Sequence, residues 1–399
     1  MSIQINSLET PVDSKKKLAL FALGFRPFFL AAGLFAVLLM AAFVAGMVSG
    51  VWHYNYFPLT IWHAHEMIFG YAVAVIAGFL LTSVRNWTGM DTATGKGLML
   101  LSLVWLAGRL VSAIPSLPGW LIASVDSIFL PLLALVILRP ILKSGQKRNL
   151  PVPLILLLMG AGNFLIYADM FEFSFGSLEQ GLLVGVGSML MLVSMIGGRV
   201  MPFFTERGVP GAVVVKREWI EMAATPSIAL WLLLELVAPG STWAVLASFI
   251  AAAVHGIRLF GWGSVQIWKV PMLWVIHVAY GWLVGGFVLQ GLAGLEIIYS
   301  TVALHGWTAG AIGIFTYGMM ARVSLGHTGR PIVSSSLITA GFVILTLTVV
   351  VRVVLPSLIP ALTEVALLVA AAGWIIAFAL FVWVYTPILV RPRADGQPG

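Results

Sequence analysis

Two histidines and a glutamate, His63, His65 and Glu66, open an apolar run that continues to Val84. Side chains that bind metals or carry charge are costly in hydrocarbon and require a partner or a function there. Residues two apart on an α-helix point about 200° away from each other, so the two imidazoles are expected to face two different sites. Such a helix is typical of a protein with two neighbouring redox centres. The alternative is that one histidine ligates a metal or hydrogen-bonds while the other is an interfacial residue.

The composition places the chain in a membrane. Of its 399 residues, 60% are hydrophobic and 9% are charged, and the mean hydropathy of +1.03 lies far above the range of soluble proteins. The absence of cysteine excludes disulfides, thiolate metal sites and covalently attached haem. The net charge of +7 comes from basic residues in short loops between apolar runs. It therefore reports membrane topology and does not indicate a nucleic-acid partner.

Apolar runs long enough to cross about 30 Å of hydrocarbon predict an all-α, polytopic membrane protein with twelve transmembrane helices. The runs lie at 27–50, 61–84, 97–114, 119–142, 151–170, 178–201, 220–238, 242–261, 271–292, 299–322, 332–355 and 361–386. Basic residues concentrate in alternate loops, so the positive-inside rule predicts that the N-terminal segment 1–26 and the C-terminal tail 387–399 are both cytoplasmic. We expect no domain besides the transmembrane domain at 27–386.

This topology assigns a depth to each histidine. Four histidines fall near the outer ends of their spans, namely His53, His63, His65 and His305. Three others fall toward the inner side, namely His255, His277 and His327. Two layers suit two cofactors stacked across the bilayer, although histidines at helix ends also occur as interfacial residues.

Part of the sequence repeats. A shift of 240 residues superposes His65 on His305 and two glycines, Gly78 and Gly89, on two others, Gly318 and Gly329. The match favours three parallel four-helix repeats, since internal repeats are common in membrane proteins. With 41 glycines in the chain, coincidence is the alternative. If the repeat holds, the two histidines occupy equivalent places on related helices and face a shared centre.

We therefore predict His65 and His305 as the axial ligands of a haem iron, because neutral imidazole is the usual donor where thiolate is absent. His63, on the other side of its helix, is then free for a second metal such as copper, which accepts imidazole readily. His53 is a candidate to complete that site, or else a solvated loop residue. Glu66 is a candidate proton carrier, an orienting partner for a histidine, or a helix-end carboxylate with no further role.

Two further pairs have open assignments. His255 and His277 are candidates for the ligands of an inner haem. Arg109 and Asp126 lie on either side of the turn before the fourth run, and pairing them would relieve the cost of both charges in the membrane. Otherwise Arg109 would hold a haem propionate through its bidentate guanidinium.

Four motifs resemble those of a known family. They are Gly24–Phe29 (GFRPFF), Trp62–Gly70 (WHAHEMIFG), Gly197–Thr205 (GGRVMPFFT) and the stretch from His305 to Gly329. They are similar to the motifs of the NnrS family, and the resemblance covers nearly the whole chain. It implies a bacterial inner-membrane protein that contains haem and copper and is linked to nitric oxide metabolism. It does not assign the histidines to the metals.

The leading hypothesis is an inner-membrane protein with non-covalent b-type haem and copper that binds nitric oxide. It would reduce or scavenge the gas and so protect against nitrosative stress, with quinol as the candidate electron donor. An apolar gas partitions into the bilayer and can reach a metal held there. One alternative is a membrane electron carrier with two haems, the inner one on His255 and His277. The other is a non-redox transporter, since many spans with repeats suit one.

Overall fold

The apolar runs form helices in the computed structural model, which describes residues 18–52, 56–114, 116–173, 176–263 and 265–397. Within these ranges we count twelve helices and no β-strand. In chain order they are α1 (Phe25–Ser49), α2 (Leu59–Thr88), α3 (Gly95–Val111), α4 (Gly119–Lys143), α5 (Pro151–Met170), α6 (Ser177–Gly208), α7 (Glu218–Val237), α8 (Thr242–Trp262), α9 (Pro271–Gly294), α10 (300–327), α11 (Ser336–Leu358) and α12 (Thr363–Val390).

Prolines and glycines set several helix ends. Pro151 and Pro271 are the first residues of α5 and α9, where the missing backbone N–H of proline costs no hydrogen bond. Helices α1 and α2 stop at Gly50 and Gly89, which have φ angles of 66° and 69°. Glycine adopts this left-handed conformation without strain. Because these signals are local, most predicted helix boundaries are correct to within a few residues.

Ten of the described helices are long and apolar enough to cross a membrane, which makes the chain an all-helical, multi-pass membrane protein. The two others are α3, which has 17 residues, and α10. Each of the twelve predicted runs corresponds to a helix. The count of twelve membrane crossings is nevertheless not confirmed, because α3 and α10 fall outside the set of ten.

Two helices run through the middle of the bundle. In the apolar windows of α2 and α6, 89% and 83% of the residues are buried, against 56% or less in the other spanning helices. Helix α10 packs beside α2, since the buried hydroxyls of Tyr71 and Thr316 lie 2.7 Å apart. The ring of Phe69 packs on Gly185 of α6, where an added Cβ would lie 2.8 Å from it. The candidate residues of α2 and α10 therefore lie at the centre of the protein.

Helices α2 and α10 each contain a π-helical segment directly after a predicted ligand histidine. In α2 the segment is Glu66–Ala72, after His65, and in α10 it is Gly306–Ile314, after His305. π-helical turns rotate the side chains that follow and are frequent at functional sites. The two segments begin 240 residues apart, the same shift that relates the two histidines. The three-repeat hypothesis itself stays a prediction.

Arginines gather at one end of the bundle, which we call the basic end. There Arg26 donates hydrogen bonds to the carbonyl oxygens of Leu389 and Arg391 at 2.8 and 2.7 Å. Arg199 lies over the ring of Trp87 at the same end, 4.9 Å from its centroid. Helices α2, α6 and α10 finish here, so the predicted ligand histidines near the starts of α2 and α10 lie toward the opposite end. That the basic end is cytoplasmic stays a prediction.

Candidate functional site

Five polar side chains from four helices meet inside the bundle and form what we call the charged cluster. They are His65 and Glu66 of α2, Arg109 of α3, Asp126 of α4 and Asn163 of α5, and none is more than 8% exposed. Each lies in a helix that is otherwise mostly apolar. Polar groups in such surroundings must satisfy one another, because neither water nor lipid can do so.

Arg109 joins the two carboxylates of the cluster. One of its terminal nitrogens lies 2.6 Å from Oε2 of Glu66, and the other contacts Oδ1 of Asp126. The predicted pairing of Arg109 with Asp126 is therefore confirmed. Both terminal nitrogens of the guanidinium are occupied by the protein's own carboxylates, so these contacts give no support to a haem propionate at Arg109.

His65 faces hydrogen-bond acceptors on both sides of its ring. Its Nδ1 lies 3.1 Å from Oε1 of Glu66, and its Nε2 lies 2.9 Å from Oδ1 of Asn163 and 3.2 Å from Oδ2 of Asp126. The amide orientation of Asn163 is set by its own Nδ2, which donates to Asp126 at 2.8 Å. With Glu66 and Asp126 ionised beside Arg109, only an imidazole that is protonated on both nitrogens can donate to acceptors on both sides.

The charges of the cluster therefore balance. Arg109 and the protonated His65 carry two positive charges, while Glu66 and Asp126 carry two negative ones. Balanced, hydrogen-bonded charges are the form in which ionised groups persist in a low-dielectric interior. A protonated imidazole has no free lone pair for a metal. Iron ligation by His65 stays a prediction, and it would require the ring to give up a proton and the contact with Asn163.

Aromatic rings close the cluster off from lipid. The centroid of the His65 ring lies 4.8 Å from that of Phe57, 5.2 Å from that of Phe69 and 6.0 Å from that of Tyr167. The Tyr167 hydroxyl also donates a hydrogen bond to Oδ2 of Asp126 at 3.2 Å. With apolar rings around it, the cluster lies in a low-dielectric environment where its electrostatic contacts are strong.

His63 points away from the charged cluster, as the two-residue spacing predicts. Its ring stacks on Phe43, with centroids 4.1 Å apart and planes inclined by 26°. Its Nδ1 is buried and has no hydrogen-bond partner among the described residues. The charged or ionisable groups that act on it are His305 of α10 and Arg352 of α11. A buried imidazole nitrogen without a partner is unusual, because burial without a hydrogen bond is costly.

His305 lies on the same side of α2 as His63. Its Nδ1 donates to the carbonyl oxygen of Thr301 at 2.7 Å, which leaves the lone pair of Nε2 available. Arg352 acts on it as it does on His63. His63 thus lies within electrostatic range of His305, while the described contacts of His65 are with Glu66, Asn163 and Asp126. The shared iron predicted for His65 and His305 stays a prediction, with these contacts favouring the other pair.

Among the described residues, His63 and His305 have few further metal-binding side chains near them. His53, predicted to complete a copper site, lies outside the described residues. Among the residues that are described, no group of three or more metal-binding side chains is arranged to hold a metal ion. His63 and His305 therefore present two imidazole donors, which suits copper or a bis-histidine iron better than a cage of hard oxygen ligands.

The space next to His305 does not fit a haem macrocycle. The glycines of the π-helical segment are covered, since an added Cβ at Gly306 would lie 3.2 Å from Leu289 and one at Gly310 would lie 2.6 Å from Trp282. The cavities of about 130 and about 30 Å³ between the described parts of α2, α6 and α10 are lined by none of His63, His65 and His305. The haem predicted from the sequence stays a prediction that this arrangement does not support.

The predicted inner pair is used for hydrogen bonding. The Tyr280 hydroxyl lies 2.7 Å from Nδ1 of His255 and 3.0 Å from the Arg258 guanidinium. Since the carbonyl oxygen of Ala224 can only accept, Nε2 of His255 donates to it at 3.0 Å, and Nδ1 of a neutral ring then accepts from the Tyr280 hydroxyl. His277 donates from its Nδ1 to the carbonyl oxygen of Leu273 at 2.9 Å. An inner haem on this pair would have to break a contact of His255.

Three residues of the two sites were not predicted from the sequence, namely Asn163, Tyr167 and Arg352. A usable signal existed for two of them. Asn163 is an uncharged polar residue in the middle of the apolar run 151–170, and Arg352 is the single charged residue of α11. A lone polar group in a membrane helix indicates a partner or a function. Nothing local distinguishes Tyr167 from the tyrosines that pack in the core.

Comparison with models of known protein families gives a match. A family model described as NnrS protein matches residues 19–393, which is nearly the whole chain. No curated protein matches the chain.

Proposed function

Because the chain belongs to the NnrS family, we propose that it is a membrane protein that binds nitric oxide and reduces it. In this proposal His63 and His305 hold a metal ion, and the charged cluster supplies protons. The observation that carries it is the buried, unpartnered Nδ1 of His63 beside His305. The other face of the same helix carries His65 and Glu66, so a metal site and an acid–base site lie back to back.

Copper is the metal that we propose for the pair. Imidazole nitrogens are good copper ligands, and a neutral His63 with a free Nδ1 costs less when a metal occupies that nitrogen. Copper bound there would provide a place for nitric oxide and a route for electrons. The His63 ring is oriented by stacking on Phe43, with ring centroids 4.1 Å apart. The His305 ring is oriented by the hydrogen bond from its Nδ1 to the carbonyl oxygen of Thr301, at 2.7 Å.

The reaction that we propose consumes protons as well as electrons. Two molecules of nitric oxide, two electrons and two protons give one molecule of nitrous oxide and one of water. His65 holds a proton on each ring nitrogen, and its Nδ1 can pass one to Oε1 of Glu66, 3.1 Å away. When Glu66 passes this proton on, the cluster is left with one net negative charge, which favours prompt reprotonation. In this proposal Glu66 is the proton carrier.

The membrane arrangement belongs to the same proposal. We infer that α3 and α10 cross the bilayer with the ten others, giving twelve spans, and that the basic end faces the cytoplasm of a bacterial inner membrane. The matched π-helical segments of α2 and α10 support three four-helix repeats. The first metal-binding histidine would then lie near the outer surface, where a gas arriving through lipid meets it.

The rival functions have less support from the contacts. An electron carrier with an inner haem needs a free nitrogen on His255 as well as on His277, and both nitrogens of the His255 ring are engaged in hydrogen bonds. A transporter would be expected to use broken helices at its centre, whereas α2 and α10 continue through their π-helical segments without a break. Measuring the consumption of nitric oxide by the purified protein distinguishes binding without turnover from reduction.

The test uses purified full-length protein in detergent. Copper is measured by mass spectrometry, and nitric oxide consumption is measured with an electrode in the presence of dithionite or a quinol. We expect His63→Ala and His305→Ala to lose the copper and the consumption, because each removes one of two donors. His277→Ala is the matched control and should keep both.

His65→Gln separates the two possible histidine pairs. We expect it to keep its copper and to consume nitric oxide more slowly, since it removes a proton donor and not a metal ligand. Loss of metal in His65→Gln with retention in His63→Ala would restore the pair predicted from the sequence. Copper retained in both His63→Ala and His305→Ala would refute the proposed site. Copper with nitric oxide binding and no consumption with any donor would make the protein a scavenger or sensor.

A further inference from the structure

A cleft opens at the basic end between α2, α6 and α10, toward the opposite end of the bundle from His63, His65 and His305. It contains a cavity of about 130 Å³ whose lining includes Ser83, Trp87, Arg199 and His327. A smaller apolar cavity of about 30 Å³ continues toward the middle of the bundle and shares Met319 and other residues with the first. The cleft therefore has a polar mouth and an apolar inner part.

Two polar groups face the cleft without a protein partner. In the part of the chain that the structure describes, neither the ring nitrogens of His327 nor the hydroxyl of Ser83 makes a hydrogen bond. The His327 ring is held by Phe25, with centroids 5.7 Å apart. Serine hydroxyls in membrane helices normally bond to a carbonyl one turn earlier, as Thr82 does with Gly78 at 2.9 Å. Groups left free on the wall of a cavity are available to a ligand.

Arg199 is the cation among the described residues that line the mouth, and it is already engaged. Arg199 donates to Oδ1 of Asn149 at 2.7 Å and to the carbonyl oxygen of Arg148 at 3.2 Å, and it stacks over Trp87. A phosphate or carboxylate ligand would need a free cation. The cleft offers instead an aromatic wall and two neutral groups that each donate or accept, which fits a planar ring with oxygen atoms on its edge.

We propose that this cleft binds the head group of a membrane quinol, with His327 and Ser83 as its hydrogen-bonding partners. The ring of the quinol would lie against Trp87 in the larger cavity. A quinol that gives up two electrons and two protons becomes a quinone, and those electrons match the two consumed in reducing two molecules of nitric oxide. The use of those electrons rests on the proposed function, whereas the binding of the quinol does not.

The two sites are well separated. Ser83 follows His63 by 20 residues on α2, which corresponds to roughly 30 Å along a helix axis. Quinol and nitric oxide therefore cannot meet, and the binding of each can be measured in the absence of the other.

The experiment measures binding of a short-chain quinone, ubiquinone-1, to the purified full-length protein by isothermal titration calorimetry, without copper or nitric oxide. We expect saturable binding that weakens roughly two- to tenfold in Ser83→Ala and at least as much in His327→Leu, which is what one lost hydrogen bond is worth. His327→Gln keeps a hydrogen-bonding group and should weaken binding less than His327→Leu. Ser102→Ala is the matched control, because Ser102 bonds to the carbonyl oxygen of Leu98 on α3.

The outcomes of the quinone titration either support or overturn the proposed quinol site. Equal binding by wild type, Ser83→Ala and His327→Leu, or no saturable binding by wild type, overturns the proposal. Displacement of the quinone by a short-chain phosphatidylglycerol at equal concentration would show a lipid site instead. If His327→Leu fails to fold, the conservative Ser83→Ala still tests the site. Quinone binding without nitric oxide consumption would support the quinol site and refute the proposed function. Nitric oxide consumption without quinone binding would support the proposed function and refute the quinol site.

Discussion

Breaking the buried Arg109–Asp126 ion pair should destabilise the protein by several kilocalories per mole, although breaking an exposed ion pair costs little. The side chains of Arg109 and Asp126 are 5% and 1% exposed, and Arg109 also contacts Glu66 at 2.6 Å. Replacing Arg109 by methionine keeps most of the side-chain volume and leaves two buried carboxylates facing one imidazolium. Removing one partner of a buried pair costs about 3–5 kcal/mol, and we expect Arg109→Met to fall in this range.

The chain offers a matched control for this substitution. Arg85 and Asp91 form a second Arg–Asp contact, at 2.7 Å, with side chains 42% and 69% exposed. Exposed pairs contribute about 0–1 kcal/mol, so Arg85→Met should be nearly neutral. The free energy of unfolding is measured by titration with sodium dodecyl sulfate in mixed micelles, with helical circular dichroism as the signal.

A double-mutant cycle tests the charge balance directly. Asp126→Asn keeps an oxygen acceptor for the neighbouring amide and hydroxyl but removes the charge. The double variant, which combines Arg109→Met and Asp126→Asn, loses one positive and one negative charge. The charges of Glu66 and the protonated His65 therefore still balance each other. We expect the double variant to be less destabilised than the sum of the single ones, by about 0.5–3 kcal/mol. Equal effects of Arg109→Met and Arg85→Met, or strict additivity in the cycle, would refute the reasoning.

Two further predictions concern packing and hydrogen bonding between helices. Gly198→Ala should destabilise the protein by about 1–3 kcal/mol, because the added Cβ would collide with the Arg258 guanidinium; thermal unfolding followed by size-exclusion chromatography measures the effect. Tyr71→Phe should cost about 0.5–1.5 kcal/mol, because it removes the 2.7 Å hydrogen bond between the Tyr71 and Thr316 hydroxyls, as measured by the detergent titration.

Both predictions have internal controls. Gly97→Ala adds a Cβ that meets nothing within 4 Å, so it should change stability by no more than about 0.5 kcal/mol. Tyr299 is 72% exposed, so Tyr299→Phe should be neutral. If Gly198→Ala matched Gly97→Ala, the close approach of Arg258 to α6 would not exist in solution. If Tyr71→Phe and Tyr299→Phe changed the free energy of unfolding equally, the hydrogen bond between α2 and α10 would contribute nothing to stability.

The sequence alone determined the elements and their local geometry. Run 151–170 and helix Pro151–Met170 coincide, because hydropathy over some twenty residues and a proline at the first position are local signals. That His63 and His65 face different sites follows from the angle between residues two apart on a helix. The Arg109–Asp126 pair was predictable because charges in hydrocarbon need partners and few were present nearby.

Tertiary structure alone decided which side chains share a site. The sequence pairs His65 with His305 through the repeat, yet in the structure His63 lies within electrostatic range of His305, and His65 contacts Asn163, 98 residues away. Which face of a helix meets which neighbour depends on the packing of all the helices together. The π-helical segments after His65 and His305 add to this, because they rotate the register of each helix beyond what a regular pattern of residues encodes. Contacts between residues distant in the chain therefore had to be seen in the folded protein.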